Sequence, residues 1–151
     1  MKRFSWSLMS WAAMGMLILL CAVSCKSWID GRPKEPPYVV FINNSGADLF
    51  NVSAREVADS TEEPARLASV SPLLAGKSYT VPRDPDSKPL SSRIRVNWDT
   101  RRNGGSMSTT TSIEALMRKA TGAPNEALVI SLDPAGFVSV HLAPLESIPS
   151  Y

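Results

Sequence analysis

Hydrophobic positions along the chain fall into two regimes. From Trp6 to Leu20 they form one nearly continuous block, Trp6, Leu8, Met9, Trp11, Ala12, Ala13, Met14, Met16, Leu17, Ile18, Leu19 and Leu20, behind a basic Lys2-Arg3 head. From Tyr38 onward they break into short stretches of period two, separated by Gly, Pro, Asn and Asp, which is the signature of half-buried strands joined by tight turns. Tyr38-Val39-Val40-Phe41-Ile42 is a strand ended by Asn43-Asn44-Ser45-Gly46, and Leu49–Arg55 alternates with Phe50, Val52 and Ala54 on one side. The pair reads as a hairpin. Further strands are expected over Arg66–Val70, Ser78–Val81, Ser92–Asp99 and Ser106–Thr110. The Ser92–Asp99 stretch is the plainest, with Ile94, Val96 and Trp98 facing one way and Arg93, Arg95, Asn97 and Asp99 the other. A closing hairpin runs Leu128, Ile130, Leu132 into Asp133-Pro134-Ala135-Gly136 and out through Val138, Val140, Leu142.

One segment changes period. Ile113, Leu116, Met117 and Ala120 recur at helical spacing, Thr111 and Glu114 have the spacing of a capping box, and Gly122 and Pro124 end the run, so a short helix is expected here. Seven or eight short strands with one short helix point to a compact antiparallel β-sandwich, with a mixed α+β sheet as the alternative. Residues 38–151 are enough for one domain with its own core.

The leading block has the layout of a secretory signal: basic head, apolar middle, small residues at the end. Ala22-Val23-Ser24-Cys25 then gives way abruptly to Lys26-Ser27. These residues resemble the lipobox of bacterial lipoproteins, with Ala22, Ser24 and Cys25 at its positions, although Ala22 stands where Leu is usual. Cys21 follows the bulky Leu20 and does not fit the pattern. The resemblance covers residues 1–25 only. It implies a cleaved signal at 1–24 and lipidation of Cys25, and the composition that follows, with Gly31, Pro33, Pro36 and Pro37 and few apolar side chains, makes residues 25–37 read as a lipidated tether. It also explains the two cysteines, because a lone free thiol is awkward in an oxidising compartment. An ordinary cleaved signal and an uncleaved membrane helix remain open, the latter because Trp6–Ser24 is close to the roughly 20 residues that span a bilayer. In such lipoproteins an aspartate after the cysteine commonly marks the inner membrane, so with Lys26 there the resemblance implies the outer membrane, periplasmic side, with inner-membrane anchoring as the alternative.

Charge and chemistry narrow the picture less. Removing Lys2 and Arg3 lowers the basic count from 16 to 14, equal to the 14 acidic residues, so the bulk charge gives no case for nucleic-acid binding. Ala75-Gly76-Lys77-Ser78 ends like a phosphate-binding loop, but Ser71 stands where its first glycine is needed and a strand follows. His141 is the only histidine and lies on the strand face away from Val138, which reads as a surface residue and not as a metal ligand or catalytic base. Asp84 and Asp86 are too few oxygen donors for a calcium loop. Asn43 and Asn51 open N-x-[ST] triplets and read as turn and strand-end residues.

Arg93, Arg95, Arg101 and Arg102 are the one local concentration of charge, and they are the candidate contacts to carboxylates or phosphates of a partner, lipid A or a polysaccharide. With no cofactor motif, no metal-ligand spacing and no evident small-molecule site, the sequence points to a non-enzymatic binding or assembly module held to the membrane by its lipid, with an envelope protein as partner. A toxin-neutralising lipoprotein and an envelope hydrolase with an unrecognised site are the alternatives.

Overall fold

The computed structural model describes residues 34–57, 65–84, 87, 89–102 and 104–149. The apolar leader, Cys21, Cys25, the tether through Pro33, the acidic loop around Glu62 and Asp86 lie outside the described residues. The rest is mainly β. In chain order it has β1 (Tyr38–Asn43), β2 (Phe50–Glu56), β3 (Arg66–Val70), β4 (Ser78–Pro82), β5 (Arg93–Arg101) and β6 (Gly104–Ser112). A single helical turn, α1 (Glu114–Met117), precedes β7 (Glu126–Leu132) and β8 (Val138–Pro144), and a 3-10 turn follows at Leu145–Ser147.

The strands form two four-stranded sheets. Sheet I has the order β4-β1-β7-β8 and sheet II the order β3-β2-β5-β6. Their inner faces interdigitate into one core, with Val39, Phe41, Leu128, Ile130 and Leu132 from sheet I against Val52, Ala54, Ile94, Val96 and Trp98 from sheet II. The expected sandwich is therefore present, with one departure from a purely antiparallel layout: β1 and β7 pair in parallel, Tyr38 opposite Ala127 through Asn43 opposite Leu132. Both strands are central and buried on both faces, which is why they read as continuous apolar runs where the outer strands alternate.

The outer face of sheet I is closed by the chain's own end. Val40, Ala127 and Val129 point away from the main core and are covered by Leu145 and Ile148. The Ser78 hydroxyl on β4 donates to the Pro149 carbonyl at 2.9 Å, so this segment crosses the sheet from β8 to the opposite edge.

Three expectations are corrected. β1 and β2 do not form a hairpin, because they belong to different sheets. Buried Asn43 turns the chain between layers: its amide donates to the Ala47 and Leu73 carbonyls, both at 2.8 Å, and its side-chain oxygen accepts from the Ser45 amide and hydroxyl. The helix is also shorter than expected, and its capping box does not form. Thr111 lies in β6 opposite Ile94, and Ile113 precedes α1 with no side-chain cap. The apolar stripe survives as packing, with Ile113 and Ala120 buried and Leu116 and Met117 against the core. Finally, Phe50 does not join Val52 and Ala54. The β2–β5 register shifts between Phe50 and Ser53, where Asn51 adopts a left-handed φ of 49°, so Leu49 enters the core and Phe50 does not. Asn is among the few non-glycine residues that adopt this conformation readily.

The N-terminal edge is tied down ahead of β1. The Arg83 guanidinium meets Glu35 at 2.7 Å, with both side chains largely buried, and the other Glu35 oxygen accepts the Leu90 amide at 2.6 Å. Glu35 and the buried Pro36 are thus part of the folded unit, upstream of the Tyr38 boundary read from the sequence.

Candidate recognition face

Among the described residues, neither hydrophobic cluster lies on the outer face of sheet II, and Arg66 adjoins Arg83, Asp84 and Ser87 around a small cleft. Strand alternation decides what it displays. With Ala54, Ile94 and Val96 turned into the core, their neighbours Arg55, Arg93, Arg95 and Asn97 turn outward. Cross-strand register then aligns these residues into rungs.

The first rung is basic. Arg66 on β3 lies opposite Arg55 on β2, Arg55 opposite Arg95 on β5, and Arg95 opposite Thr110 on β6. A register shift beside Ala54 brings Arg66 into line. Neighbouring strands are about 4.8 Å apart, so the four positions span roughly 14 Å. Like charges directly opposite one another repel. The described residues place no carboxylate in contact with Arg55, Arg66 or Arg95, and Arg95 makes only a long 3.4 Å bond from Nε to the Thr110 hydroxyl. Arg93 lies two residues along β5, opposite Ser112.

The second rung is neutral and hydrogen-bonding: Ser69, Ser53, Asn97 and Ser108 are register partners across β3, β2, β5 and β6. The third holds Phe50, Asp99 and Ser106. Asp99 accepts from the Asn51 side-chain amide at 2.7 Å. The Phe50 ring is half-buried, is not part of either apolar cluster, and shares the outward side with its partner Asp99.

The candidate arginines are therefore divided. Arg95 sits in the basic rung with Arg93 one rung along, while Arg101 and Arg102 lie in the exposed β5–β6 hairpin, six or more residues further along, or about 20 Å from Arg95. Arg55 and Arg66 take their place. The signal that could have found them is register, which a single sequence does not reveal without its strand pairing.

The other candidates stand apart from this face. His141 is exposed on β8, opposite Val129, on the outward side of sheet I. Among the described residues no three metal-ligating side chains come together. A cleft of about 190 Å³ beside Thr121, Glu126 and Pro144 is below the roughly 300–1,000 Å³ of small-molecule pockets. Its carboxylate is already engaged, since Glu126 accepts the Thr121 and Gly122 amides at 3.0 Å. A cleft of about 70 Å³ near Glu56, Arg66 and Arg83 is smaller still. Asn43 is fully buried, and Asn51 is held between Asp99 and Ser71.

Comparison with known proteins finds no family model, no curated protein and no solved structure that matches this chain.

Proposed function

We propose that this chain is a lipid-anchored lipoprotein of the bacterial envelope, acting as a non-enzymatic binding module on the periplasmic side of the outer membrane. The observation that carries the binding reading is an asymmetry. The outer face of sheet I carries an apolar centre, Val40, Ala127 and Val129, covered by Leu145 and Ile148, whereas the equivalent face of sheet II presents aligned arginines, serines and an asparagine and no apolar cluster among the described residues. A stack of like charges opposes folding slightly, and an anionic partner reverses that sign. The anchoring reading is supported by Ala22, Ser24 and Cys25 alone.

Both halves can be tested in the native host. Labelled palmitate enters the wild-type chain and the Cys21→Ser variant, and the Cys25→Ser variant stays unlabelled with its leader uncut. Equal labelling of Cys25→Ser removes the lipoprotein assignment. Copurification from membranes then recovers a partner with wild type and less of it with Arg55→Glu/Arg95→Glu. Equal recovery removes sheet II as the recognition face.

A further inference from the structure

We propose that the outer face of sheet II binds an extended anionic saccharide. The inference rests on the reading of this face as a recognition surface and adds the chemistry of what it takes. Three successive rungs carry three kinds of group. Arg66, Arg55 and Arg95 offer planar guanidinium forks, which match carboxylate, phosphate or sulfate oxygens two at a time. One rung along, the Ser53 and Ser69 hydroxyls and the Asn97 amide can each both donate and accept, as sugar hydroxyls require. The next rung holds the Phe50 ring, with Asp99 and Asn51 beside it. An aromatic face receives the C–H side of a pyranose ring, and a neighbouring carboxylate accepts from its hydroxyls.

The three rungs are about 6.8 Å apart along β5, giving a strip of roughly 14 Å from Arg95 to Asp99. Arg66, Ser69 and Arg95 are exposed, and the cleft of about 70 Å³ beside Arg66 is far below small-molecule size, which suits a chain lying along the sheet more than a compact ligand buried in a cavity. A protein partner is less well matched. Stable protein interfaces have an apolar, aromatic-rich centre ringed by polar groups, and here the middle rung is serine and asparagine while the single ring lies at the end. Single-stranded nucleic acid is bound by repeated stacking of successive bases on aromatic side chains, and this strip has one ring.

The test uses the full chain purified in detergent, titrated calorimetrically with a heparin octasaccharide, an oligogalacturonide, neutral dextran, polyglutamate and a single-stranded oligonucleotide. At least one anionic saccharide binds, binding weakens with salt, and dextran does not bind. Arg55→Gln/Arg95→Gln weakens saccharide binding about tenfold, as expected for losing charge-assisted contacts. Phe50→Leu weakens it about threefold, and Arg118→Gln, a charge removed from α1, leaves it unchanged. Polyglutamate or the oligonucleotide binding as tightly as any saccharide, with Phe50→Leu silent and the arginine pair required, overturns the saccharide inference and leaves the recognition face standing. Binding indifferent to the arginine pair, or no binding to any anionic probe, overturns the inference, and only unchanged partner recovery by the charge-reversed variant overturns the face.

Discussion

The amide of Asn43 uses its whole hydrogen-bonding capacity, two donors to carbonyls and two lone pairs to Ser45, at the point where the chain leaves sheet I for sheet II. Replacing it with alanine lowers stability by about 1–3 kcal/mol, the range for stranding buried partners. Asn43→Asp is worse, because a carboxylate oxygen then faces the Leu73 and Ala47 carbonyls. Urea midpoints of the two variants check the order. At this scale the sequence is only partly legible. Asn43 is recognisable as a turn residue from the Asn-Asn-Ser-Gly run, but the left-handed Asn51 two residues into the next strand is not, and it exchanges Phe50 for Leu49 in the core. The same limit governs the recognition face. Arg95 follows from alternation within β5, whereas Arg55 and Arg66 are recognisable as its neighbours only once β3, β2 and β5 are placed side by side.

Among the elements, β5 and β8, whose apolar residues alternate cleanly, fall where periodicity places them, and β7 falls where its apolar run lies. The helix does not, because Thr111 has a stronger claim elsewhere: pairing with Ile94 extends the β5–β6 ladder, and only then can the chain turn over the end of the sandwich. The C-terminal segment has no periodic signal at all, yet it covers Val40 and Val129. It is pinned by the Asn125 amide, which donates to both Glu146 oxygens at 2.9 Å, and by the Leu145 amide, which donates to the Asn125 carbonyl at 2.7 Å. A backbone hydrogen bond first, and the Asn125 amide second, hold the Glu146 carboxyl below the usual carboxylate range. Its contribution is therefore complete above the ordinary carboxylate value and is lost as pH falls through the lowered folded value. The protection of the Leu145 amide against exchange, with the intrinsic pH dependence divided out, should fall in acid, and Glu146→Gln should abolish that fall. An unchanged acid profile in Glu146→Gln removes Glu146 as the sensor.

For the molecule as a whole, the folded unit begins at Lys34. A chain starting at Tyr38 loses Glu35, removing that carboxylate from the Arg83 guanidinium and from the Leu90 amide. Breaking a largely buried pair from one side costs about 3 kcal/mol, the low end of the usual range since Arg83 keeps its 3.0 Å bond to the Ser87 hydroxyl. Thermal melts of wild type and Glu35→Ala measure this difference, since the truncation also removes buried Pro36 and the Pro37 carbonyl that accepts the Arg83 amide at 2.8 Å; coincident melts would show that the pair contributes nothing. The parallel pairing of β1 with β7 also sets the timing of assembly. β1 pairs with β4 on one edge, but its other edge waits for the next to last strand, since Tyr38 and Ala127 are partners, and such distant pairing closes a long loop before its contacts compensate for it. An emerging chain cannot complete sheet I until almost the entire domain has been delivered. For a protein exported as proposed above, that delay keeps the polypeptide threadable: the topology itself holds off folding until passage is nearly finished.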